Sequence, residues 1–211
     1  MPSLFLPSHP ENQAAMAAYM RDKFDFLGVK ATERRILTRP VIQASKKLDL
    51  VELQSWLTFY YGQPVREYQY VAIDLAQANV KRLSPELAAW CRDQISVKAW
   101  WDSVDAWRKV MTLYLVHQDT LTTQGTEFIM TDKMWLQRVG ITLQLSLKDQ
   151  TNQTFLATAI EAQQDNPEFF IQKAIGWALR DYSKTAPGWV ANFINQHDLS
   201  KLAVREGSKY L

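Results

Sequence analysis

Apolar and polar residues alternate as a strand would require in one segment only, Ile141 to Leu147, where Thr142, Gln144 and Ser146 stand between apolar neighbours. Elsewhere the chain reads as helices separated by start signals. Ser84-Pro85-Glu86 and Asn166-Pro167-Glu168 each place a capping side chain before a proline at the first helical position, with an acid next. Pro64 and Pro187 suit the same role. The stretches Val65 to Ala78 and Lys98 to Val116 have helical length. A lone strand has nothing to pair with, so Ile141 to Leu147 is assigned to a helix too.

That assignment is reinforced by an internal repeat. Four segments align: Glu67-Tyr68-Gln69-Tyr70-Val71-Ala72, Trp101-Asp102-Ser103-Val104-Asp105-Ala106, Trp135-Leu136-Gln137-Arg138-Val139-Gly140 and Phe170-Ile171-Gln172-Lys173-Ala174-Ile175. Their first residues stand 34, 34 and 35 apart. A helix pair with its turns fills such a period, and neighbouring pairs must stack to bury their apolar sides. The expectation is one all-α solenoid domain spanning residues 1–211, with no linker or low-complexity break.

Composition agrees. The 211 residues are 47% apolar, with 7 Gly and 8 Pro, enough for a core and few for a turn-rich β fold. Net charge is only +2, so a nucleic-acid surface must be a local concentration of the 24 Lys and Arg. A single cysteine, Cys91, excludes an internal disulfide and reads as a core filler. His9, His117 and His197 lack metal-ligand spacing and suit capping or solvent-facing roles, so no metal is expected. Arg34-Arg35 and Lys46-Lys47 read as solvated charges. No long apolar run or signal-like start is present, which suggests a soluble intracellular protein.

The residues become specific in three strings: Lys98-Ala99-Trp100-Trp101-Asp102-Ser103-Val104-Asp105, Trp135-Leu136-Gln137-Arg138, and Phe169-Phe170-Ile171-Gln172-Lys173-Ala174-Ile175-Gly176-Trp177-Ala178-Leu179-Arg180. With Tyr19-Met20, Phe26-Leu27-Gly28, Glu33-Arg34-Arg35 and Arg66-Glu67-Tyr68-Gln69, they resemble the AlkD-type bacterial DNA alkylation-repair family, from about Tyr19 to Lys209. The resemblance implies a right-handed α-α superhelix of HEAT-like repeats with a concave groove for duplex DNA. It implies functional roles for Trp101, Asp105, Arg138 and Trp177, with Tyr19 a further DNA contact. Relatives continue into a partly basic helical tail and carry a helix former where Gly207 stands. Those differences, and the short lead before Tyr19, bear on DNA affinity more than on chemistry.

The repeat spacing supplies a check on these four. Folded onto the Trp101 repeat, Arg138 falls at position 104 and Trp177 at 108, completing a 101, 104, 105, 108 stripe on one helical face. Trp135, Phe170 and Lys173 share it. Aromatics at a fixed repeat position more often belong to a core, but a carboxylate and a guanidinium rarely do unless paired. Asp105 and Arg138 could pair with each other across neighbouring helices as a purely structural salt bridge, and the sequence leaves that open.

What the resemblance implies chemically is a cofactor-free DNA glycosylase that releases cationic N3- or N7-alkylated purines from duplex DNA without cutting the strand or flipping the base. Asp105 would stabilise positive charge on the sugar and orient water, and Trp101 and Trp177 would press against the backbone. Arg138 would hold a phosphate, with Lys173 and Arg180 as lesser anchors and Trp135 a further DNA-binding residue. A monomer in the bacterial cytosol or nucleoid is expected. The alternatives are a non-catalytic HEAT-like protein that binds branched or damaged DNA, and a protein-interaction scaffold.

Overall fold

The structure, a computed structural model, describes residues 4–211, and every regular element among them is helical. The chain falls into two compact units, one up to Arg92 and one from Asp93 onward. Among the described residues, no helix is long and apolar enough to cross a membrane.

The first unit holds α1 (Pro10–Tyr19), α2 (Ala31–Ser45), α3 (Leu50–Gly62), α4 (Arg66–Ala78) and most of α5 (Pro85–Gln94). Asp49 caps α3 by accepting the Glu52 N–H at 2.8 Å. α4 packs against α2 and α3, and its Val71, Ala72, Leu75 and Ala76 are fully buried, as are Leu53 and Leu57 of α3. Two fully buried charges begin α4. The Glu67 carboxylate accepts the backbone N–H groups of Leu27, Gly28 and Val29 at 3.0, 2.8 and 3.1 Å. Arg66 donates to Gln69 at 2.6 Å and lies 3.7 Å above the Phe24 ring. Gly28 has a φ of +88°, and a Cβ there would stand 2.3 Å from the His9 carbonyl oxygen, so only glycine fits the loop around Glu67.

Arg34 corrects the expectation of a solvated charge. It is buried, pairs with Asp74 at 3.3 Å and lies 4.7 Å over the Tyr70 ring, whereas Arg35, Lys46 and Lys47 are exposed as expected. Cys91 on α5 is fully buried, and burial pushes its thiol pKa up to about 12.

The second unit holds α6 (Trp101–His117), the short α7 (Leu121–Gln124) and α8 (Thr126–Ile129), α9 (Met134–Thr142), α10 (Gln153–Glu161), α11 (Phe169–Ser183), α12 (Pro187–Gln196) and α13 (Lys201–Gly207). Its core centres on α11, whose Ile171, Ile175 and Leu179 are fully buried and which packs against α9, α12 and α13. The approach to α13 is close: a Cβ on Gly176 would stand 2.5 Å from the Glu206 Cβ. Gly207 faces Leu179 in the same seam, which accounts for a glycine where a helix former was expected.

Each of the four repeat segments starts at the first or second residue of a helix, α4, α6, α9 or α11. Ser84 and Pro187 mark helix starts as read, the Ser84 hydroxyl accepting the Leu87 N–H at 3.3 Å. Asn166-Pro167 does not. α11 begins at Phe169, because the Asn166 side chain instead accepts the Glu168 N–H at 3.0 Å and closes a tight turn. The helical reading of Ile141 to Leu147 holds through Thr142, after which Leu143, Leu145 and Leu147 form successive turns. No strand forms, since Ile141 through Leu145 are all buried, Thr142 and Gln144 included; a half-exposed strand would leave those two in water.

Candidate functional site

α6 opens with Trp101 and presents Asp105 one turn later, so both lie on one face. Arg138, fifth in α9, reaches across to that carboxylate. Its Nε donates to Asp105 Oδ1 and its Nη2 to Oδ2, both at 2.9 Å, in parallel fork-to-fork geometry. Its Nη1 donates to the Phe170 carbonyl on α11 at 2.8 Å. The guanidinium carbon also stands 5.8 Å from the centroid of the Trp177 ring. Arg138 therefore ties α6, α9 and α11 together around one carboxylate.

Burial sets the two partners apart. The Arg138 side chain is 6% exposed, while that of Asp105 is 18% exposed and Trp101 and Trp177 are half-buried. Each Asp105 oxygen uses one lone pair on the arginine and keeps another for a further donor. The carboxylate is thus fixed in orientation and still able to accept from water or to face a growing positive charge.

Trp135 and Phe170 belong to an aromatic wall beside this pair. Trp100 stands edge-on to both, at 5.8 and 5.0 Å between centroids, and Trp135 lies 5.0 Å from Phe170. Trp135 is half-buried, so it is partly a packing residue, as the core reading of repeat-position aromatics would have it.

The expected phosphate cations meet a different geometry. Arg138 directs three N–H groups at Asp105 and Phe170 and is almost wholly buried, which suits a residue that positions a carboxylate better than one that grips DNA. Lys173 and Arg180 both reach Glu206 Oε2, at 3.3 and 3.2 Å, joined there by Lys209 at 3.1 Å, while Arg205 lies 3.8 Å from Oε1. Glu206 is buried, and its carboxyl is held below the usual range by the Lys209 hydrogen bond first, with Lys173 adding to it against the opposing effect of burial.

Sequence reasoning missed Glu206, because α13 lies outside the repeat register and an acid among basic residues gives no signal of burial. It also missed Arg108, one turn beyond Asp105. Burial lowers the pKa of that guanidinium; the fields of Asp105 and Asp181 oppose this, and Arg138 adds to it.

Tyr19 lies in the other unit, at the end of α1, and is 70% exposed. With Met16, Met20, Phe26, Lys30 and Tyr70 it lines a largely apolar cavity of about 480 Å³. Among the described residues no three His, Cys, Asp or Glu gather as metal ligands would.

A solved structure described as a predicted DNA alkylation repair enzyme from Enterococcus faecalis is 44% identical over 99% of both chains, with a TM-score of 0.96. AlkD2 from Streptococcus mutans is 17% identical over 94% of this chain and 99% of its own, with a TM-score of 0.71. A second Streptococcus mutans protein, smu.31, is 16% identical over 94% and 98%, with a TM-score of 0.68. At that identity these two show the fold alone, the HEAT-like helical repeat. No curated protein matches. The model of the DNA alkylation repair enzyme family matches residues 4–211, and the chain belongs to that family.

Proposed function

We propose that this protein is a monofunctional DNA glycosylase that hydrolyses the N-glycosidic bond of cationic N3- or N7-alkylated purines in duplex DNA, with Asp105 as its catalytic carboxylate. The observation that carries the reading is the Asp105–Arg138 pair: a carboxylate clamped in orientation, yet partly open, on a helical face shared with Trp101. Each Asp105 oxygen keeps a lone pair that water or substrate can use.

An alkylated purine already carries positive charge and leaves as a neutral base, so a strong general acid is not needed. Positive charge grows on the deoxyribose instead. Asp105 stabilises that charge and orients the attacking water through its free lone pairs. Groups preorganised in this way contribute about 3 kcal/mol to lowering a barrier. Trp101 and Trp177 present ring faces whose quadrupole favours the cationic sugar. Arg138 is a positioning residue, holding Asp105 rather than a phosphate. No lysine stands among Trp101, Asp105, Arg138 and Trp177, and Lys173 on the same stripe is paired with Glu206 at 3.3 Å, so Schiff-base chemistry is not expected and the product is an abasic site in an unbroken strand. The face offers no Asn or Gln for reading base edges, which supports excision without base flipping.

The family model runs through both compact units without a break, which supports one functional domain. In this reading the protein works as a monomer, without cofactor, in the bacterial cytosol or nucleoid.

The test is release of free N7-methylguanine from methylated duplex DNA, by the wild type and by Asp105→Asn. Release should fall by roughly 10²–10³-fold in the variant. Equal release would remove Asp105 from the chemistry. Salt-sensitive DNA binding without any release would make the chain a non-catalytic binder of damaged DNA, its ion pair structural after all. Strand nicking without heat or alkali would overturn the monofunctional assignment.

A further inference from the structure

Arg138, Lys173 and Arg180, the cations expected to grip the DNA backbone, are all engaged by carboxylates of the protein itself. Arg108 is not. Its position on α6, three residues past Asp105 and seven past Trp101, sets it on the same helical face one turn further along. Its Nε is fully buried and meets no acceptor, and its guanidinium has no carboxylate within ion-pair distance among the described residues. Asp105 on its own helix and Asp181 on α11 act on it only through longer-range attraction, opposed by Arg138 on α9. Asp181 is itself occupied, accepting the Ser146 N–H at 2.6 Å.

The backbone under Arg108 is fixed. The Thr112 hydroxyl donates its one proton to the Leu143 carbonyl at 2.6 Å and also lies 3.0 Å from the Arg108 carbonyl. The Arg108 Nε is thus desolvated and without an acceptor beside the candidate catalytic carboxylate, on a side chain that is otherwise half-buried. Buried polar groups without partners are rare and costly, and they persist where a ligand completes them. A planar fork of five N–H donors matches a phosphate in shape and charge.

We propose that Arg108 is a phosphate ligand of the DNA strand that passes Asp105. This rests on the reading of duplex DNA as the substrate and adds to it the cation that anchors the backbone next to the chemistry. It divides the work of two neighbouring arginines: Arg138 orients the carboxylate, and Arg108 holds the strand.

The experiment measures binding of an unmodified duplex by fluorescence anisotropy between about 50 and 200 mM salt, for the wild type, Arg108→Gln and Arg108→Lys. Arg108→Gln should weaken binding roughly three- to tenfold and make the slope of log Kd against log salt shallower by about 1. Arg108→Lys should restore the slope but only part of the affinity, because it keeps the charge and loses the fork. The maximal excision rate at saturating methylated DNA should stay within about twofold, the loss falling on KM.

Folding is checked by thermal unfolding, with Arg108→Met as the second variant. Removing a cation that has no ion-pair partner and whose Nε is buried without an acceptor should leave the midpoint unchanged or higher. Collapse of both neutral variants would make Arg108 structural and overturn the proposal. An unchanged salt slope with a reduced excision rate would also overturn it, placing Arg108 behind Asp105 as a tuning charge. If the wild type binds no duplex at all, the DNA reading fails first, and the proposal fails with it.

Discussion

Glu67 and Asp105 are carboxylates on repeat-related helices, one near the start of α4 and the other one turn into α6, and their surroundings differ in kind. Glu67 is fully buried, and three backbone N–H groups occupy three of its four lone-pair positions. Its neighbour Arg66 is also fully buried, held by Gln69 and Phe24. Asp105 is partly exposed, takes two N–H groups from one arginine, and stands on a face with Trp101. A carboxylate nearly saturated with donors can only hold a loop in place. One that is oriented but unsaturated has capacity left for a substrate.

The comparison can be broken most forcefully at Glu67. Glu67→Ala leaves three buried N–H groups without an acceptor and should destabilise the first unit by about 4 kcal/mol, read from the urea unfolding midpoint. Excision per folded molecule should be little changed. A stable variant that had lost excision would reverse the roles assigned to the two carboxylates.

Next in size is the seam between α11 and α13. Gly176→Ala places a methyl 2.5 Å from the Glu206 Cβ and should cost about 2 kcal/mol of stability in the second unit. An unshifted melting temperature would show that the seam is looser than these contacts allow.

A smaller effect sharpens the chemistry. Arg138→Lys keeps the charge beside Asp105 and loses the paired hydrogen bonds, so the maximal excision rate should fall roughly tenfold, about 1.4 kcal/mol, with duplex affinity nearly intact. A loss of affinity with the rate preserved would return Arg138 to the phosphate role expected from sequence.

The mildest effect is on pH dependence. The folded-state carboxyl of Glu206 is held below its ordinary range. The stability it contributes is therefore complete above the ordinary glutamate pKa of about 4.3 and fades as pH falls through the lowered folded value. Unfolding midpoints taken downward from about pH 6 should drop more steeply for the wild type than for Glu206→Gln. Parallel curves would mean that the four surrounding cations do not stabilise the charge.

The starts of α4, α6, α9 and α11 were legible because a repeat of 34 or 35 residues carries its own register. Sequence leaves open whether Asp105 and Arg138 pair, because only the packing of α6 against α9 brings them into a fork with lone pairs to spare. Contacts that cross the register stayed hidden. Glu206 draws Lys173 and Arg180 from a helix that the repeat does not reach, and Arg34 finds Asp74 forty residues away. Asn166-Pro167 misled because the same side chain that caps a helix can close a turn before one.

Alkylating agents that damage DNA attack sulfur more readily than they attack purines, and thiolate is the form they attack. The one cysteine of this chain lies at 0% exposure, and burial pushes its thiol pKa up, away from the reactive thiolate form. Any member of a DNA alkylation repair family meets the reagents whose lesions it answers. Burying Cys91 lets this one stay in their presence without being disabled through its own thiol.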